Sequence, residues 1–125
     1  MSAKNSAPPS PAASKASAGA VEEVDVIAAA NLPAVLETAR GIGWRVLGAD
    51  AGDGAAPLLS VSSGPPTVLV VGSEGEGLRT TVRRACDGLV AIAGGDEQSG
   101  VDSLNVGVAG GILMHHLLAP PGGDP

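Results

Sequence analysis

Two stretches of this 125-residue chain have the residue types and spacing to do chemistry. The first is Gly72-Ser73-Glu74-Gly75-Glu76-Gly77-Leu78-Arg79. It follows an uncharged, β-branched run and precedes a helical pattern, which is where ligands sit in open α/β sheets. Its spacing is not Gly-x-Gly-x-x-Gly, and it lacks the Lys-Ser/Thr pair of a phosphate-binding loop. Two carboxylates in the turn would repel a pyrophosphate by on the order of 1 kcal/mol per pair, even when well solvated. The loop therefore suits a neutral or cationic ligand held by backbone N–H and C=O groups. The other reading is a turn that needs glycines for positive φ. The loop alone does not separate the two.

The second stretch is Asp102-Ser103-Leu104-Asn105-Val106, at the start of an apolar helical pattern. Asp102 or Ser103 can cap that helix. Gly107, Gly110 and Gly111 follow within it, each costing roughly 1 kcal/mol relative to Ala. Close approach of another backbone is the expected reason: a sheet, a ligand or a second subunit. Other reactive side chains have plainer readings. His115 and His116 are adjacent, so they point about 100° apart and cannot chelate one ion together. Near a helix C-terminus they suit its dipole. Cys86 reads as a small packing residue rather than a nucleophile. Arg79, Arg83 and Arg84 read as a solvated basic helix face, with phosphate contact as the alternative. No metal site is expected of a chain with one cysteine and this histidine pair.

The elements that must position these stretches follow from pattern. Val24-Asp25-Val26-Ile27 is a short apolar run and a candidate buried strand. Asn31 precedes Leu32-Pro33, and Leu32, Val35, Leu36 and Ala39 recur at helical spacing until Gly41 and Gly43 stop the helix. Trp44 to Gly48 reads as a strand, and 49–66 as a loop. Thr67-Val68-Leu69-Val70-Val71 is the clearest strand, and its unbroken apolar character predicts cover on both faces. Leu78–Cys86 reads as a helix, Leu89–Ile92 as a strand, 93–102 as a polar loop, and Ser103 to about Leu118 as the last helix. Strands alternate with helices, so the fold class is α/β with a parallel sheet.

Composition narrows the function classes. Hydrophobic residues are 44% and charged residues 16% of the chain, so one small domain with a core is expected. There is no Phe or Tyr and one Trp, so Val, Leu, Ile and Ala must fill that core. No apolar run is long enough to span a bilayer, so no membrane is expected as a partner. Seven basic against thirteen acidic residues give −6. Such a chain is not steered to nucleic acid by its global field, and any contact must come from a local patch or another domain. Residues 1–20 are Ser-, Ala- and Pro-rich, with Lys4 and Lys15 and no acid. They read as a transit peptide, a disordered leader, or a loop of a larger domain whose front is missing, and the last is preferred.

Read together, the two stretches resemble a family. Leu69 to Leu78 resembles motif 2 of the SpoU/TrmH RNA 2′-O-ribose methyltransferases of the knotted SPOUT superfamily. Ser103 to Leu113 resembles motif 3, with Gly107 where that family usually has Ser. Asn5-Ser6-Ala7-Pro8 and Ser14 to Glu22 resemble the segment after motif 1 in large-subunit rRNA guanosine methyltransferases, bacterial and mitochondrial. The likeness covers nearly the whole chain. Motif 1, an Asn-x-Gly-x-x-x-Arg run whose Arg helps activate the ribose hydroxyl, lies just before this segment in the family. Motif 3 usually opens with Ile-Pro-Met, where this chain has Ile92-Ala93-Gly94.

The resemblance implies an α/β parallel sheet with a deep C-terminal trefoil knot, truncated at its N-terminus. It implies a flexible leader or loop at 1–20, a partial methyltransferase domain at 21–118 and a disordered tail at 119–125. It implies S-adenosylmethionine held by Val71, Gly72, Gly77, Ile92 and Leu104, and an active site shaped by Glu74, Ser103 and Asn105. It implies a homodimer packed near the knot, rRNA as substrate and a mitochondrial or other organellar location, with a bacterial-type cytoplasm as the alternative. The acidic loop tolerates the cofactor's sulfonium cation. A non-catalytic knotted module that dimerises or binds a partner is the alternative function.

Overall fold

A computed structural model describes residues 24–50, 54–72, 77–92 and 106–119. Helix α1, Leu32–Gly41, starts as its sequence dictates: Asn31 Oδ1 accepts the Ala34 amide at 3.2 Å, and a proline stands in the first turn. Gly43, at φ 94, turns the chain into strand β1, Arg45–Ala49. Strand β2, Ala56–Pro57, runs into a short 3₁₀ turn, Leu58–Ser60. Strand β3 is Thr67–Val71, helix α2 is Thr80–Ala85, strand β4 is Gly88–Ala91, and helix α3 is Val106–Leu118.

The sheet order is β2–β4–β1–β3, and every pairing is parallel. β1 is central: Ala49 pairs with Val71 on one side and Val90 on the other. Residues alternate across it into two cores. On one face Val46, Val70, Leu78, Val82 and Ala85 pack with Leu36 of α1. On the other, Leu47 and Val90 pack with Leu58 and with Leu113 of α3. Aliphatic side chains thus fill two layers around one parallel sheet, the cover that such a sheet requires.

Three expectations are corrected. Val24, Val26 and Ile27 form no strand and are exposed. A four-residue apolar run states a preference for burial but supplies no ladder partner, and the sheet takes its neighbours elsewhere. The expected loop at 49–66 contains β2 and the 3₁₀ turn. Pro57 masked that strand, and it is tolerated because β2 is an edge, where a missing N–H breaks no ladder. β3 is covered on both faces as its apolar run implies, with Val68 and Val70 in one core and Leu69 against the other, and among the described residues it is an edge of the sheet, with Val71 47% exposed. Helix α2 begins at Thr80, two residues later than its pattern suggests, because Leu78 is spent on the core before the helix starts. The segments read as leader and tail, 1–20 and 119–125, lie outside the described residues apart from Ala119.

Polar anchors hold the sheet's amino edge. The carboxylate of Asp87, just before β4, accepts the Val46 amide at 2.7 Å through Oδ2 and Arg40 Nε at 2.8 Å through Oδ1. Its own amide donates to Val46 O at 2.8 Å. One residue thereby joins α1, β1 and β4. Arg45 donates from Nε to Thr67 Oγ1 at 3.1 Å and from Nη1 to Ser62 Oγ at 3.3 Å, tying β1 to β3. Asp87→Ala leaves the Val46 amide without its acceptor, and urea unfolding should show a loss of about 1–3 kcal/mol. Arg40→Ala, which cuts only the half-exposed partner, should cost under about 1 kcal/mol.

Candidate functional site

The carboxyl ends of the strands lie side by side, as the register requires. β3 leads into Gly72, β1 into Asp50 and β4 into Ile92, with the Asp50 amide donating to Val90 O at 3.0 Å. This is the edge where open parallel sheets bind ligands. Gly72 is sterically fixed as glycine. A Cβ built there overlaps the carbonyl of Gly77 and stands 2.7 Å from Leu78 N. Gly77 itself sits at φ 68, a left-handed conformation that side chains resist. The glycine loop therefore closes on itself, backbone against backbone, and leaves main-chain groups rather than side chains at its neck.

Leu78 carries the loop into the core. Its Cδ1 lies 2.7 Å from the position of a Cβ on Gly48, and Leu89 Cδ2 and Cys86 Sγ crowd the same point at 2.9 and 3.0 Å. The bare Cα of Gly48 leaves room on β1 for the side chains of Leu78 and Cys86, which flank α2. Arg83 of α2 then forms an ion pair with Asp50 at the end of β1. Beside it, half-buried Ile92 packs against the Leu47–Val90 cluster.

Of the expected cofactor contacts, Val71, Gly72, Gly77 and Ile92 all belong to this edge. Leu104 and the expected active-site residues Glu74, Ser103 and Asn105 lie outside the described residues. A Cβ on Gly110 or Gly111 meets nothing within 4 Å among the described residues, so of the close neighbours expected there the sheet is not the one. The histidines depart from their simple reading too. His116 Nε2 donates to Val61 O at 2.7 Å, so it ties α3 to the β2–β3 connection rather than serving only the helix dipole. Arg83 is not merely a solvated cation, because it is paired with Asp50. Among the described residues, no group of three or more His, Cys, Asp and Glu could hold a metal ion, and no helix is long and apolar enough to cross a membrane. Sequence reasoning missed Gly48 and Asp50. A glycine inside a strand was the available signal, since it marks close approach of another element.

Cys86 behaves as packing. Its Sγ lies 3.3 Å from Val82 O, and it packs against the Leu36–Val82 core. Burial pushes its pKa up, the Asp87 charge adds to this, and Arg40 and Arg83 offset part of it. The thiol is thereby held away from the nucleophilic thiolate form.

Comparison with known proteins places the architecture. The family model described as the SpoU rRNA Methylase family matches residues 1–115. A protein named rRNA methyltransferase 1, mitochondrial, from Dictyostelium discoideum is 38% identical over 124 residues, covering 95% of this chain and 23% of that protein. The human protein of the same name is 37% identical, covering 99% of this chain and 38% of its own length. The chain thus spans well under half the length of these curated relatives. Among solved structures, the SpoU methyltransferase AviRb from Streptomyces viridochromogenes, in complex with AdoMet, aligns with a TM-score of 0.78 at 21% identity, covering 94% of this chain and 47% of that one. An A. aeolicus TrmH/SpoU tRNA modifying enzyme aligns at 0.75 with 24% identity, covering 84% and 52%.

The raised pKa of Cys86 has a signed consequence. The fold favours the neutral thiol, so the unfolded chain ionises first as pH rises, and stability falls only above the ordinary thiol value. Urea midpoints should be level up to about pH 8.5 and drop beyond it. Cys86→Ala should remove that drop.

Proposed function

The chain belongs to the SpoU rRNA methylase family, and from that membership we propose that it forms the S-adenosylmethionine pocket of an RNA 2′-O-ribose methyltransferase acting on guanosine of large-subunit rRNA. The observation that carries the reading is the self-closed glycine neck, Gly72 against Gly77 and Leu78, at the carboxyl edge beside Ile92. It offers backbone donors and acceptors with apolar walls, a donor set that fits a cationic, adenosine-bearing cofactor better than a polyphosphate. Bound there, S-adenosylmethionine supplies a methyl group made electrophilic by its sulfonium charge.

The chain's own residues bind and orient. Val71, Gly72 and Gly77 present main-chain groups, and Ile92 and Leu104 present apolar surface. Ribose hydroxyls are weak nucleophiles, and the hydroxyl proton must leave as the new O–C bond forms and the C–S bond breaks. Glu74, Ser103 and Asn105 shape the place where this happens in the proposed site. In-line placement supplies much of the rate, so a neck fixed by sterics is an asset in itself. The charge that draws in RNA is local or belongs to another part of the enzyme, because the chain is acidic.

The reading extends to assembly and compartment. β4 inserts between β1 and β2, although it is made after β3, which supports a C-terminal knot. Val108, Ile112 and Met114 of α3 are 55%, 41% and 52% exposed, and a helix apolar on several sides supports a homodimer packed through it. Relatives in Dictyostelium discoideum, Homo sapiens and Schizosaccharomyces pombe carry "mitochondrial" in their names, which supports an organellar location. Mycobacterial relatives support the bacterial alternative.

Calorimetric titration with S-adenosylmethionine tests the pocket. The protein should bind, and Gly72→Val should abolish binding while circular dichroism stays native-like, since its side chain must displace the Gly77 carbonyl. A folded protein that takes up no cofactor would overturn the reading.

A further inference from the structure

The Asp50–Arg83 ion pair stands outside every residue set discussed for the family, yet it joins the two elements that fix the glycine neck. Asp50 ends the central strand, between the strand ends that carry Gly72 and Ile92. Its side chain is only 15% exposed, against 38% for Arg83. Arg83 is bonded back to the start of α2, its amide donating to Arg79 O at 2.9 Å. Arg79 follows Leu78, whose methyl fills the space above Gly48. Gly48 and Asp50 are two residues apart on β1 and so share a face. The segment from Leu78 into α2 is therefore seated on β1 and its exit at two points, Leu78 over Gly48 and Arg83 on Asp50.

We infer that Asp50 and Arg83 are positioning residues: their ion pair sets the seat of α2 on β1 and thereby the approach of Gly77–Leu78 to Gly72. The physical reason is division of labour. Leu78 fixes how close α2 comes, but dispersion contacts do not resist sliding along the strand. A directed ion pair to a largely buried carboxylate does. Its contribution is to geometry more than to net stability, because desolvation cancels much of the Coulomb gain.

The binding arm of the test rests on the proposed cofactor reading, and the exchange arm does not. Asp50→Asn keeps size and an acceptor but removes the charge. It should speed amide hydrogen exchange at Gly77 and Leu78 in the ligand-free protein. It should also weaken S-adenosylmethionine binding by about tenfold, with little change in melting temperature. Arg83→Gln should do the same, and the reversed pair, Asp50→Arg with Arg83→Asp, should recover part of both. Unchanged exchange at those amides would overturn the inference. So would a fall in melting temperature with unchanged cofactor affinity, since the pair would then be structural only. If the unsubstituted protein binds no cofactor, the proposed function fails, and faster exchange in Asp50→Asn still upholds the positioning role.

Discussion

The bare Cα of Gly48 is the constraint on which the rest of the site depends. β1 bonds to β3 on one side and β4 on the other, so whatever lies on its face is held against the middle of the sheet. At Gly48 that object is Leu78, with Leu89 and Cys86 crowded beside it. A side chain at Gly48 would have to displace the Leu78, Leu89 and Cys86 side chains that now fill the space above it. The chain between Gly72 and α2 would then lose the anchor that lets Gly77 meet Gly72 backbone to backbone. A core contact in the centre of the sheet thus determines main-chain geometry at its rim.

The two ends of the sheet divide the work between them. At the amino edge, Asp87, Arg40, Arg45 and Thr67 are bound to one another or to main chain, and they hold helices and strands in register. At the carboxyl edge, Gly72 and Ile92 leave backbone and apolar surface, with the Asp50–Arg83 pair at one side. This arrangement lets the rim be shaped for a ligand without weakening the fold, because the polar anchors sit at the far end.

Cys86 and His116 show how context decides the role of a reactive residue type. The thiol lies beside two arginines in sequence, which would favour thiolate, but burial and the Asp87 carboxylate outweigh them. The imidazole lies in the last turn of α3, where the helix dipole would act on it, yet its ring reaches across to Val61 O. Both residues serve packing, and neither belongs to the carboxyl edge.

The α/β class, the parallel sheet, α1 with its Asn31 cap and the strands 45–49, 67–71 and 88–91 were legible in the sequence to within a residue or two. Each is stated by local physics: capping, periodicity and β-branched runs act within a few residues. The glycine loop was legible as a turn between a strand and a helix for the same reason, as that context is contiguous. Three things were not. The exposure of Val24–Ile27 depends on which strands become neighbours, and apolar character does not name a partner. Pro57 within β2 is permitted only because that strand turned out to be an edge. Lastly, Gly48 and Asp50 acquire their meaning from Leu78 and Arg83, which lie thirty or so residues downstream in the chain and beside them in space. Their types are ordinary, and only the packing of α2 on β1 turns a glycine into a seat and two opposite charges into a brace.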